Sequence, residues 1–260
     1  MWKRILVIVF LFALILKGWF WYTRFQNDVT APVIVEENPG VITVPVMEEK
    51  PVPPPVVIPK EVTETIQYTV PFTSQAPTGE WGKSAFQDGC EEASTLMVWM
   101  ARTGTKLTRE EAKTKLLDMA EFQEKKIGHG VDTDGVTTDT ILLKEYFGIT
   151  DSELIAYDFT LTELKLALQQ GLVIVPTNGR ALKNPNFTSP GPLQHMLVIT
   201  GYDAKTKEFV TNDPGTRKGE GYRYPEEILY AAIREYPTGK HLPIETSRKA
   251  MIVVPFESTR

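Results

Sequence analysis

Pro32, Pro39, Pro45, Pro51, Pro53, Pro54, Pro55 and Pro59 punctuate a stretch otherwise rich in Val and Glu. Each proline fixes its own φ and removes a backbone donor, so this stretch can form neither a helix nor a central strand. It reads as an extended spacer with local polyproline character. It divides the 260-residue chain into a short N-terminal segment at 1–24, a stalk at 25–61 and a folded domain at 62–260.

The N-terminal segment opens Met1-Trp2-Lys3-Arg4 and continues as an apolar run from Ile5 to Leu16, with Lys17 before Gly18-Trp19-Phe20-Trp21-Tyr22. A single-pass anchor needs about 20 largely apolar residues, and Ile5 to Tyr22 nearly reaches that length. Lys17 sits where its ammonium can snorkel outward, and Trp19, Trp21 and Tyr22 suit an interfacial belt. Lys3 and Arg4 place the N-terminus in the cytoplasm. A cleaved signal peptide is the competing reading, although no small-residue cleavage site follows. Both readings carry the domain across the membrane, so the expected location is the extracytoplasmic face, tethered or secreted.

The domain has the composition of a packed globule: 42% of the chain is hydrophobic. The net charge of -5 and pI of about 5.4 argue against nucleic acid as a partner. One Cys and three His cannot build the usual structural zinc sets, no intrachain disulfide is possible, and no cofactor is called for. The first half reads helical. Asp88 with Glu91 suggests a capping box for a helix from Gly89 or Cys90 to Arg102, with Ala93, Leu96, Met97 and Met100 as its apolar stripe. Thr108 with Glu111 and Thr160 with Glu163 repeat that signal, and Thr138 can start a further helix ended by Gly148. The second half turns to strands at Leu172–Pro176, His195–Tyr202, Glu208–Asp213 and Met251–Val254, with a helix from Pro225 to about Tyr236. A helical half followed by an antiparallel sheet is an α+β layout.

Cys90 falls at a helix N-terminus, where unpaired N–H groups and the macrodipole favour a thiolate, although Glu91 and Glu92 oppose this locally. His195 opens an apolar strand, and Asp213 closes the strand that pairs back on it. If the hairpin sets Tyr202 opposite Glu208, paired positions sum to 410. His195 then has Asp213 as its two-residue diagonal neighbour on one face, within side-chain reach. Such an Asp can hold one ring nitrogen while the other faces the thiol, the nucleophile–base–orienter logic of a triad. A one-residue slip would part them.

Val70-Pro71-Phe72-Thr73-Ser74-Gln75, Cys90 beginning a helix with Ala93-Ser94, His195 opening an apolar strand, Gly201-Tyr202-Asp203 and Asn212-Asp213-Pro214 together resemble the bacteriocin-leader-peptidase-like cysteine peptidases, in particular their stand-alone family thirty-nine-like branch with a papain-like fold. The resemblance covers about Tyr68 to Phe256. It implies Cys90 as nucleophile, His195 as general base, Asp213 as orienting residue and a Gln before the Cys as oxyanion donor. Gln75 carries the motif context, and Gln87 is the alternative nearer in sequence. Gly89-Cys90-Glu91-Glu92 departs from the Cys-Gly-Pro of many relatives.

The implied reaction is acyl transfer: the thiolate attacks a peptide or amide carbonyl, His195 protonates the leaving amine, and water resolves the thioester. Alternatives are a catalytically silent module that binds peptides or cell-wall material on a stalk, and transfer to an amine instead of water. Trp81, Phe86 and Tyr202 are candidate cleft aromatics. The loop from Lys183 to Gly191 could gate the cleft. Asp132-Thr133-Asp134-Gly135 is a turn, lacking the later ligands of a calcium loop. His129 and His241 read as loop histidines.

Overall fold

The computed structural model describes residues 62–128, 132–240 and 242–256. The N-terminal segment and the stalk, with His129 and His241, lie outside the described residues. Among the described residues, no helix is long and apolar enough to cross a membrane.

The helical half opens with α1 (Ser84–Gln87) and α2 (Cys90–Thr103). Next come α3 (Arg109–Ile127) and α4 (Gly135–Thr137), which runs on as a wider π helix over Thr138–Tyr146. The second half holds β2 (Glu153–Ile155), α5 (Leu161–Gln170), β3 (Gly171–Thr177), β4 (His195–Asp203), β5 (Glu208–Asn212), β6 (Tyr222–Pro225), α6 (Glu226–Ala232) and β7 (Met251–Pro255). A short β1 (Ile66–Gln67) precedes them all. The sheet is antiparallel in the order β2-β7-β3-β4-β5-β6, and β1 also pairs with β4. This is the α+β layout read from the sequence: a helix led by the cysteine packs on the sheet that carries the histidine.

Local chemistry explains most boundaries. Thr108 and Thr160 each cap a helix through a complete capping box with Glu111 and Glu163. Gly104 and Gly128 end α2 and α3 in the left-handed region. Asp88 departs from expectation. It closes α1 rather than capping α2, whose N-cap is Gly89 with no side-chain hydrogen bond. The reason is space: a Cβ on Gly89 would lie 2.5 Å from the Ala85 carbonyl oxygen, so only glycine lets α1 abut α2. Pro225 is the N-cap of α6 rather than its first residue, and that helix ends at Ala232, before Tyr236. Asp134 belongs to a cap, not a cation loop; its Oδ1 accepts from the Thr137 N–H.

Helix α2 is the centre of the molecule. Ten of its residues are buried, from Cys90 through Val98 plus Met100, because it lies between β4 and the flanking α3 and π helices. Strands β3, β4 and β7 are buried along nearly their whole length, so helices or loops cover both of their faces.

Candidate active site

The β4–β5 hairpin does not have the register assumed from sequence, yet it delivers the same pairing at the site. Near the turn Asp203 faces Glu208 and Tyr202 faces Phe209, one residue off the expected match. A bulge between Ile199 and Gly201 absorbs the slip, so Ile199 faces Thr211 and Val198 faces Asn212, which is the expected register. Asp213 therefore falls diagonally to His195. His195 Nε2 lies 2.7 Å from Asp213 Oδ1.

Asp213 is wholly buried and its two oxygens are saturated. Oδ1 also accepts from the Gly215 N–H at 3.0 Å, and Oδ2 accepts from Tyr224 Oη at 2.6 Å and Asn184 Nδ2 at 3.3 Å. Burial alone would raise its pKa. The His195 charge and these donors outweigh burial and hold the carboxyl below its ordinary value. Phe187 packs edge-on against the imidazole, with ring centres 5.3 Å apart. A Cβ on Gly215 would press to 2.8 Å of His195 Cε1, so that position keeps the ring's edge clear.

Cys90 starts α2, as expected, and its Sγ accepts from the Met196 N–H of β4 at 3.2 Å. Its own proton goes to Glu91 Oε2 at 3.3 Å, not to His195. The thiol is only 2% exposed. Burial, with Glu91 and Asp132 beside it, pushes its pKa well up, and the Met196 N–H pulls the other way. Helix position alone suggested the reverse. The macrodipole acts only over the first turn, whereas burial and two neighbouring acids act directly on the sulfur.

Cys90, His195 and Gln75 line one cavity of about 630 Å³, together with Trp81, Gln87 and Asp132. With Nε2 on Asp213, the imidazole's Nδ1 is the nitrogen left for the sulfur or a substrate. Gln75 is buried, and its Nε2 donates to the carbonyls of Phe86 (2.9 Å) and Gln87 (2.8 Å). Both amide hydrogens are thus engaged in holding α1, and oxyanion donation from Gln75 would require exchanging one of them. Gln87 lines the same cavity with an exposed side chain. Of the candidate aromatics, Trp81 lines the cavity, whereas Phe86 is core and Tyr202 is buried with its hydroxyl 2.6 Å from Glu226 Oε2. From the 183–191 loop, Phe187 and Thr188 contribute to the wall.

Asn184, on the long loop after β3, Tyr224, on β6, and Tyr236, just beyond α6, carry no motif that marks them, and only tertiary packing brings them to the site. Glu91 reads in the sequence as a capping-box partner of Asp88 and as an electrostatic opponent of the thiolate. Its place directly after Cys90 was the available signal.

Residues 67–238 match the model of the Peptidase_C39 like family. No curated protein matches the chain. Among solved structures, a fragment of Prevotella intermedia prointerpain A carrying a substitution is similar at 18% identity and a TM-score of 0.35, over 59% of this chain and 45% of that one. The chain thus spans less than half the length of that structure.

Proposed function

We propose, because this chain belongs to the Peptidase_C39 like family and is a cysteine-peptidase-like hydrolase, that it cleaves peptide or amide bonds through Cys90, His195 and Asp213 on the extracytoplasmic side of a membrane. The observation that carries the reading is the placement of Cys90 at the head of α2 in the same cavity as an imidazole fixed by a buried carboxylate.

Asp213 is the positioning residue. It commits Nε2, sets the ring plane and stabilises the imidazolium. His195 takes the Sγ proton through Nδ1 as substrate enters. Sulfur then attacks the carbonyl carbon, and the developing oxyanion meets the Cys90 backbone N–H, which has no acceptor within the first helical turn. His195 returns its proton to the leaving nitrogen as the C–N bond breaks. Water, deprotonated by His195, attacks the thioester and releases the acid and the thiolate. The extracytoplasmic location is supported by the apolar run Ile5–Tyr22 and the proline stalk.

A peptide-library digest by the full-length chain in detergent tests the activity. Cleavage by the native chain and none by Cys90→Ala is expected. Equal cleavage by both would end the proposal. Protease accessibility of the domain in intact cells against inverted vesicles tests the location.

A further inference from the structure

Glu91 presents a carboxyl where the mechanism needs to form an anion. It is 1% exposed, Oε2 lies 3.3 Å from Cys90 Sγ, and Oε1 accepts from Tyr236 Oη at 2.5 Å. The titratable groups that act on it include Cys90 and Glu92 on α2, Asp132 from the segment before α4, and Tyr236 from the segment after α6. Sγ and one oxygen each of Glu91 and Asp132 all lie within 4.8 Å of one another. A thiolate and a carboxylate in buried contact repel strongly, because little water is present to screen them. A thiolate and a carboxylic acid attract, through one of the stronger kinds of hydrogen bond. The same geometry is therefore hostile or helpful according to a single proton.

We propose that Glu91 is a catalytic residue that works as a neutral acid, its Oε2–H donating to the Cys90 thiolate. This rests on the reading of Cys90 as nucleophile. With the Met196 N–H, the acid gives the sulfur two donors, and Tyr236 fixes the carboxyl from its other oxygen. Glu91 keeps its proton throughout the cycle. The thiol proton passes to His195 and then to the leaving amine, and the proton that His195 takes from water restores it, so no bond at Glu91 is made or broken. Burial first, then Asp132 and Glu92, push the Glu91 carboxyl well above the usual carboxylate range, with the Tyr236 hydroxyl opposing. That direction keeps the proton in place.

The test is the alkylation rate of Cys90 by iodoacetamide at pH 7 in the full-length chain, compared among the native protein, Glu91→Gln and Glu91→Leu. An amide N–H is a weaker donor than a carboxylic acid, so Glu91→Gln is expected to slow alkylation by about threefold and Glu91→Leu by about tenfold or more. Infrared spectra supply a readout that a purely structural role would not move. The native protein should show a carboxylic-acid carbonyl band that is lost in Glu91→Gln and shifts when Cys90 is alkylated. The idea is overturned if both variants react faster than native, if all three react alike, if Glu91→Gln is as slow as Glu91→Leu, or if no such band exists. Should Glu91→Leu fail to fold, the Gln variant and the band decide. A native Cys90 no more reactive than free cysteine at any pH would instead remove the nucleophile reading, and this one with it.

Discussion

At the scale of single residues, the site rests on how completely Asp213 is satisfied. Its oxygens accept from His195, Gly215, Tyr224 and Asn184. Asp213→Asn removes the charge opposite the imidazolium and puts an N–H donor where an acceptor is needed. Hydrolysis should fall about a hundredfold to ten-thousandfold while binding of substrate changes little, measured as kcat against KM. Tyr224→Phe deletes a donor to a buried carboxylate and should cost about 1.5–3 kcal/mol of stability in denaturant titrations. The effect has a pH signature. Asp213 has a folded pKa below its unfolded value, so its contribution is fully present above the unfolded value of about 3.8 and is lost as pH falls through the folded one. Losing the Tyr224 donor raises the folded value, so the phenylalanine variant should acid-unfold at higher pH than the native chain. The His195–Asp213 pairing was legible in the sequence because strand periodicity puts both on one face. Tyr224, Asn184 and Tyr236 were not, since only tertiary closure brings them in.

At the scale of elements, the junction between α1 and α2 governs the nucleophile's placement. Gly89 admits the Ala85 carbonyl at a distance no Cβ would allow, and backbone on both sides leaves nothing flexible to yield. Gln75 clamps the same turn through the Phe86 and Gln87 carbonyls. Gly89→Ala should therefore cost about 1–3 kcal/mol, as overpacking does. It should also reduce Cys90 alkylation by more than the unfolded fraction explains, which paired thermal melts and labelling rates would show. Equal losses in the two would mean that the junction is only structural. The long elements were readable because they carry period and caps: α3 and α5 begin where their Thr–Glu boxes stand. The two-, three- and four-residue elements β1, β2, β6 and α1 escaped notice, being too short to show any period. The hairpin is the instructive case. The register at its turn was misjudged by one, and the bulge beyond Ile199 restored it where the site lies. Gly201, an isolated glycine inside the strand, was the available mark of that irregularity, and a Cβ there would lie 2.6 Å from the Ile66 carbonyl oxygen.

At the scale of the whole molecule, a central helix with two buried glutamates at its head makes folding itself sensitive to protons. Burial leads the causes that push the Glu92 carboxyl up to about 8 from an ordinary 4.5, and one of its oxygens has no partner. Glu91 moves in the same direction, and Glu235, half-buried, is raised to about 6, chiefly by desolvation. A carboxyl whose folded pKa lies above its unfolded one binds more proton when folded, so stability declines as pH rises from the unfolded value to the folded one. For Glu92 that window runs from about 4.5 to about 8. Asp213 acts oppositely and only in acid. The stability optimum should therefore lie near pH 5, with the melting temperature dropping steadily towards pH 8. Glu92→Gln keeps an acceptor for Gln123 Nε2 but cannot ionise. It should melt above the native chain at pH 8, close to it at pH 5, and with a visibly flatter slope between. Scanning calorimetry of both proteins across that range tests the cause, because parallel slopes would shift the proton linkage away from the head of α2.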